Sequence, residues 1–190
     1  MRERQDLVEA LAERALRARR IAIDGPDAAG KTTLADELAA TLTQRDLGTA
    51  RISLDEFLRP RAERYRAGRE SPEGYYRDSF DLDRFRAAVL GDPETARVII
   101  ADGVFLLRPE LRDLWDFSIL LAVDEDEILK RAASRDEPTL GADLLRLYQR
   151  RYLPAQRAYR ERIRPAEQAD VVVDNSDPAH PRIGTMSLRR

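Results

Sequence analysis

The chain has 190 residues, 43% of them hydrophobic, 36% charged and 6% aromatic, with 33 basic against 35 acidic side chains. That length allows one domain with a real core, and the near-zero charge balance argues against a protein that grips nucleic acid through a basic face. There is no cysteine and His180 is the only histidine, which excludes disulfides, thiolate catalysis and Cys- or His-rich metal cages.

The N-terminal stretch carries Leu7, Val8, Leu11, Ala12, Ala15 and Leu16 at helical spacing, predicting an amphipathic first helix. Charges interrupt it throughout, so it lacks the apolar run of a signal peptide. Its apolar face has no aromatic, unlike that of an interfacial membrane helix. No apolar run approaches the ~20 residues that span a bilayer, and the expectation is a cytoplasmic protein.

Ile21 to Ile23 form a short apolar strand, followed by Asp24-Gly25-Pro26-Asp27-Ala28-Ala29-Gly30-Lys31-Thr32-Thr33 and a helical pattern from Leu34 to Leu42. This is G-x-x-x-x-G-K-[ST] between a strand and a helix. Gly25 and Gly30 permit backbone angles that turn successive N–H groups toward phosphate oxygens. The helix adds its positive end, and Lys31 is a flexible cation for the β- and γ-phosphates. The Thr32 hydroxyl suits Mg²⁺ bridging them. Residues Gly25 through Thr33 are therefore the expected nucleotide loop, with ATP and Mg²⁺ as cofactors. The only lysines are Lys31 and Lys130, so a guanine-reading N-K-x-D element is absent. No LSGGQ-like transporter signature occurs, and the length fits a compact kinase better than a motor.

A second strand, Ala50 to Ser53, leads to Asp55, whose carboxylate could accept a hydroxyl proton or help hold the metal. Glu56 beside it would point the other way. Residues 59–76 read as a long polar loop over the acceptor, with Tyr65, Arg69, Tyr75 and Tyr76 as contacts. Asp81 is a fitting N-cap for a helix carrying Leu82, Phe85 and Val89. A third strand, Val98 to Ala101, ends in Asp102, where a phosphate-loop protein places a carboxylate near its metal. Trp115 and Phe117 flank the start of a fourth strand, Phe117 to Val123, and are expected in the core. Asp124 and the acids after it suit a helix N-terminus. Arg131 and Arg135, four apart, share one helix face and suit a lid over the phosphates. Helix is predicted from 142 to 163 with a kink at Pro154. Its arginines, Arg146, Arg150, Arg151, Arg157 and Arg160, are interspersed with acids and read as a solvated face. Val171 to Val173 form a fifth strand, and the polar tail after Asn175 reads as loosely held. Strands alternating with helices imply a mainly parallel sheet covered on both faces.

Several segments fall in the order of one family. Ser53-Leu54-Asp55-Glu56-Phe57, Tyr75 to Asp81, Asp102-Gly103-Val104-Phe105, Leu129 to Asp136 and Ala169 to Val173 together resemble the uridine kinase and phosphoribulokinase family of P-loop kinases. The resemblance implies a three-layer P-loop fold with a five-stranded parallel sheet and a small helical lid. It implies a single domain over 1–190, with the lid at about 131–141 and an acceptor-covering segment at about 56–80. It further implies Asp55 as catalytic base, with Lys31, Arg131 and Arg135 around the transferring phosphoryl group. Asp78 would hold ribose hydroxyls, and Phe57, Tyr65 and Tyr76 would lie beside the acceptor. Thr32, Asp55 and Asp102 would surround the metal, with Asp102 standing for the family's Glu. The short connector between Phe85 and Val98 lacks the base-reading insertion of uridine kinases. A nucleoside is the first expectation for the acceptor. Another small polyol, a vitamin precursor such as nicotinamide riboside or pantothenate, or an ATP-binding or hydrolysing regulatory module without acceptor are the alternatives. The partners expected are ATP and a small acceptor, with no nucleic acid or membrane; self-association stays open.

Overall fold

The computed structural model describes residues 2–91 and 96–186, and their side chains except at 135–142 and 185–186. The strands are β1 (Arg20–Asp24), β2 (Thr49–Ser53), β3 (Val98–Gly103), β4 (Phe117–Ala122), β5 (Val171–Asp174) and β6 (Arg182–Met186). The helices are α1 (Arg2–Ala15), α2 (Lys31–Thr43), α3 (Arg61–Arg64), α4 (Pro72–Asp78), α5 (Leu82–Leu90), α6 (Glu125–Leu147), α7 (Leu153–Ile163) and α8 (Pro165–Gln168). Sheet order is β2-β3-β1-β4-β5-β6. The first five strands run parallel, and β6 pairs antiparallel with β5.

Side-chain alternation divides the core between two faces. Ile21, Ile23, Ile100 and Ile119 point to one face and pack under Leu7 and Leu11 of α1 and Leu34 and Leu38 of α2. Ala22, Ala101 and Leu120 point to the other, against Phe85, Phe105, Trp115 and Tyr159. Strands covered on both faces must be apolar throughout, which is why β1, β3, β4 and β5 are legible as short runs; β2, at the sheet edge, is half-buried along its length and carries Arg51. Among the described residues no helix is long and apolar enough to cross a membrane.

The structure corrects the expected architecture in three places. The sheet has six strands rather than five: residues 182–186 of the tail add an edge strand, with an irregular register between Val171 and Val173. Arg182 and Gly184 interrupt any apolar run, and an edge strand needs none, which hides it from pattern reading. The segment 59–76 is not a structureless loop. It contains α3 and most of α4, and Ser71 caps α4 by accepting from the Gly74 N–H at 3.0 Å with Pro72 in the first turn. Ser-Pro-Glu is a start signal that the loop reading passed over. Finally, α6 is continuous from Glu125, and the irregularity before Pro154 is a π-helical segment, Tyr148–Tyr152. A wider turn accommodates a ring that lacks an N–H and would strike the preceding turn.

Candidate active site

The carboxyl ends of β1, β2 and β3 are level. Ile23 pairs with Asp102, Asp24 with Gly103, and Ser53 with Asp102. This register brings the phosphate loop, Asp102 and the turn carrying Asp55 to one edge of the sheet, where open α/β sheets bind ligands.

The loop's course depends on its glycines. A Cβ on Gly25 would lie 2.8 Å from the Leu121 carbonyl oxygen, so no side chain fits between β1 and β4. Gly30 (φ 88°) and Ala28 (φ 57°) take left-handed angles, the alternation that turns backbone N–H groups into an anion-binding nest. Gly30 immediately precedes α2, so the helix N-terminus points into the same space. Lys31 folds back over the loop, donating from Nζ to the Pro26 carbonyl at 2.7 Å.

The Thr32 hydroxyl donates to Asp102 Oδ2 at 2.8 Å, and Asp102, although charged, is only 2% exposed. The two side chains form a hard-oxygen pair suited to Mg²⁺. Arg51 also donates to Asp102, from Nη2 to Oδ1 at 2.7 Å.

The outer side of the loop is braced. Asn175, at the end of β5, donates from Nδ2 to the Ala29 carbonyl at 2.7 Å and accepts from Arg4 of α1 at 2.8 Å. Arg131 donates to the carbonyls of Asn175 and Ser176, both at 2.8 Å, and of Ala28 at 3.4 Å, while its Nε meets Glu127 at 3.0 Å. The Arg135 side chain lies outside the described residues, as do most of those expected in the lid. A cavity of about 790 Å³ opens beside the loop, lined by Thr33, Gly30, Arg131, Asn175 and Pro178 and closed by α1.

Asp27 leaves the loop in the other direction. It accepts from the Tyr75 hydroxyl at 3.0 Å and from Gln156 Nε2 at 2.7 Å, tying the loop to α4 and α7. Burial, then the charges of Asp27 and Asp55, hold the Tyr75 phenol well above its ordinary range, so it stays a donor. Asp55 is exposed in the 3₁₀ turn Leu54–Phe57 that follows β2. That turn is zipped to residues 79–81: Arg59 N donates to Ser79 O at 2.9 Å and Asp81 N to Phe57 O at 2.8 Å.

The other expected acceptor residues do not gather at one point. Phe57 packs edge-on against Phe85 at 5.4 Å. Tyr76 lies under the Arg108 guanidinium at 4.1 Å and against Phe105 at 5.1 Å. Tyr65 faces the Arg151 guanidinium at 4.8 Å. Asp78 accepts from Arg66 at 3.3 Å.

Two functional-site residues escaped sequence reasoning. Arg151 is not on a solvated face; it is 1% exposed. It donates to the carbonyls of Arg64, Gly68, Arg69 and Ser71 and to Ser79 Oγ, and lies over the Tyr65 and Tyr75 rings. Nothing local separates it from its neighbour Arg150; only the fold does. Asp24 is 1% exposed and accepts from Tyr159 Oη at 2.6 Å, Gly25 N at 2.7 Å and Leu107 N at 3.1 Å. Burial raises its pKa despite these donors. The signal was present: Ile23-Asp24-Gly25 repeats the strand-Asp-Gly ending of Ala101-Asp102-Gly103.

No family model matches the chain. By sequence it is similar to a uridine kinase of Leuconostoc citreum (strain KM20), 26% identical over 179 residues, covering 80% of this chain and 85% of that enzyme. By structure it is similar to a Bacillus stearothermophilus protein named a possible uridine kinase, with TM-score 0.69 and 24% identity over 88% of this chain and 97% of that one. A Silicibacter sp. TM1040 protein, provisionally named a fructose transport system kinase, gives TM-score 0.66 and 24% identity over 83% and 94%. The structural likeness shows a P-loop kinase fold, and the resemblance to uridine kinase-like proteins read from the motifs stands in the sequence comparison as well.

Proposed function

We propose that this chain is a phosphotransferase that moves the γ-phosphoryl group of ATP to a hydroxyl of a small acceptor, with a nucleoside as the first candidate. The observation that carries this reading is the Thr32–Asp102 hydrogen bond at the mouth of the phosphate loop, one strand from the turn that bears Asp55. A hydrolase needs the first feature, whereas a transferase also needs a carboxylate facing an acceptor. The likeness to a curated uridine kinase supports the same class.

In this reading the loop N–H groups, the α2 N-terminus and Lys31 hold the β- and γ-phosphates. The cavity beside Thr33 and Arg131 takes the rest of the nucleotide. Thr32 and Asp102 would hold Mg²⁺, and Asp55 is the third expected oxygen donor; the ion, when bound, neutralises charge on the phosphate oxygens. Asp55 accepts the proton of the attacking hydroxyl. Arg131, already in contact with the loop at Ala28, and Arg135, one turn along α6, steady the charge on the transferring group. Tyr65, Tyr76, Phe57 and Asp78 do not converge on one point, and in this reading they share no acceptor contact.

The test is ADP release from Mg·ATP by the purified chain with a panel of nucleosides, sugars, nicotinamide riboside and pantothenate. ADP formation that depends on one acceptor class is expected. Hydrolysis at the full rate without any acceptor would overturn the reading.

A further inference from the structure

Both carboxylate oxygens of Asp102 are engaged. Oδ2 accepts from Thr32, and Oδ1 accepts from Arg51 Nη2 at 2.7 Å. Arg51 rises from β2 and its other terminal nitrogen bonds Asp36 of α2. Its guanidinium is thus gripped by acids from β3 and α2, beside the hydroxyl that would meet the metal. A buried carboxylate needs such a counter-charge, since an isolated charge cannot be desolvated cheaply.

We propose that Arg51 is a positioning residue that keeps the Thr32–Asp102 pair closed to free divalent cations, so that the metal enters only together with its nucleotide. This rests on the reading above, in which that pair meets a metal–nucleotide complex. A dication arriving alone finds both Asp102 oxygens engaged and a guanidinium at close range that repels it; Asp36, the guanidinium's second partner, is 69% exposed, so water screens its charge. Among the described residues no group of three or more Asp, Glu or His side chains is placed to compensate. A nucleotide-bound cation brings its own negative oxygens and tolerates the guanidinium. Mg²⁺ is commonly held by one or two carboxylates plus substrate phosphates; here Arg51 makes the phosphates obligatory.

The test is a titration of the nucleotide-free chain with Mn²⁺, followed by the paramagnetic signal of the free ion. Wild type should bind Mn²⁺ no more tightly than Asp102→Asn, and should gain a site when a non-hydrolysable ATP analogue is added. Arg51→Met should bind one Mn²⁺ about tenfold more tightly than wild type without nucleotide. That gain should vanish in the Arg51→Met/Asp102→Asn double variant, and Arg51→Lys should behave as wild type. A site in nucleotide-free wild type that Asp102→Asn abolishes overturns the proposal, whether or not Arg51→Met folds. So does equal affinity in Arg51→Met and wild type, or a gain that survives loss of Asp102. These titrations involve no acceptor and no turnover, so their failure is distinct from failure of the phosphotransfer reading.

Discussion

The phosphate loop and the segment proposed to cover the acceptor meet at one sheet edge but are held in different ways. The loop is mostly local: Lys31 bonds Pro26 five positions away, and left-handed angles at Ala28 and Gly30 set its shape. Its ligand would be gripped by backbone N–H groups, which depend on spacing and glycine placement. The proposed acceptor segment is held from a distance. Arg151, about 80 positions along the chain, donates to four carbonyls and one hydroxyl between Arg64 and Ser79. The difference teaches that a backbone-built site announces itself as a motif, whereas a site built by remote side chains does not.

Five substitutions would break or sharpen this contrast. Asp55→Asn should lower kcat by about 10²- to 10⁴-fold, the usual contribution of a positioned general base. Nucleotide binding, measured by calorimetry, should stay near wild type. Lys31→Ala should lower kcat by about 10²- to 10³-fold, the loss typical of one preorganised charge-stabilising donor; it should also weaken ATP without changing the KM of the acceptor.

Arg151→Met should cost about 3 kcal/mol of stability or more, because several buried acceptors lose one donor together. Thermal unfolding measures that loss. If the contrast is right, the surviving enzyme shows a raised KM for the acceptor and an unchanged KM for ATP. Tyr75→Phe removes the one hydroxyl that ties α4 to the loop at Asp27. It should cost about 1–2 kcal/mol, and it should move both KM values, since it severs the joint between the two regions.

The smallest effect concerns pH. Burial holds the folded Asp24 carboxyl above its ordinary range, so the native state binds this proton more tightly than the unfolded chain does. The stability it contributes is fully present below the unfolded pKa and is lost as pH rises through the folded value. Asp24→Asn removes the titration. Its stability relative to wild type should therefore improve as pH rises from 4 to 8, as measured by denaturant titration at several pH values; a constant difference would mean that Asp24 ionises as freely when folded as when unfolded.

Much of the fold was legible in the residues. Ile21 to Ile23, Val98 to Ala101 and Val171 to Val173 declare themselves because parallel strands are buried on both faces and must be apolar without a break. Asp81 was readable as a cap, and its side chain does accept from Arg84 N at 3.1 Å. The edge strand β6 was not legible, because an exposed strand needs no apolar run. Tyr75 and Tyr76 are adjacent and chemically identical, yet one bonds the loop through Asp27 and the other stacks beneath Arg108. Only the helical turn of α4 separates them.

By itself the sequence determined the parallel sheet, the phosphate loop and the acids at the strand ends, because periodicity and short-range spacing are properties of neighbouring residues. Spacing and resemblance singled out Arg131, but tertiary structure alone decided what Arg51 and Arg151 hold. Arg51 and Arg151 look like any others in a chain whose cations are nearly all arginine. They differ because the fold sets one against a buried carboxylate and the other against the carbonyls of residues 64–71, where a desolvated oxygen needs a donor.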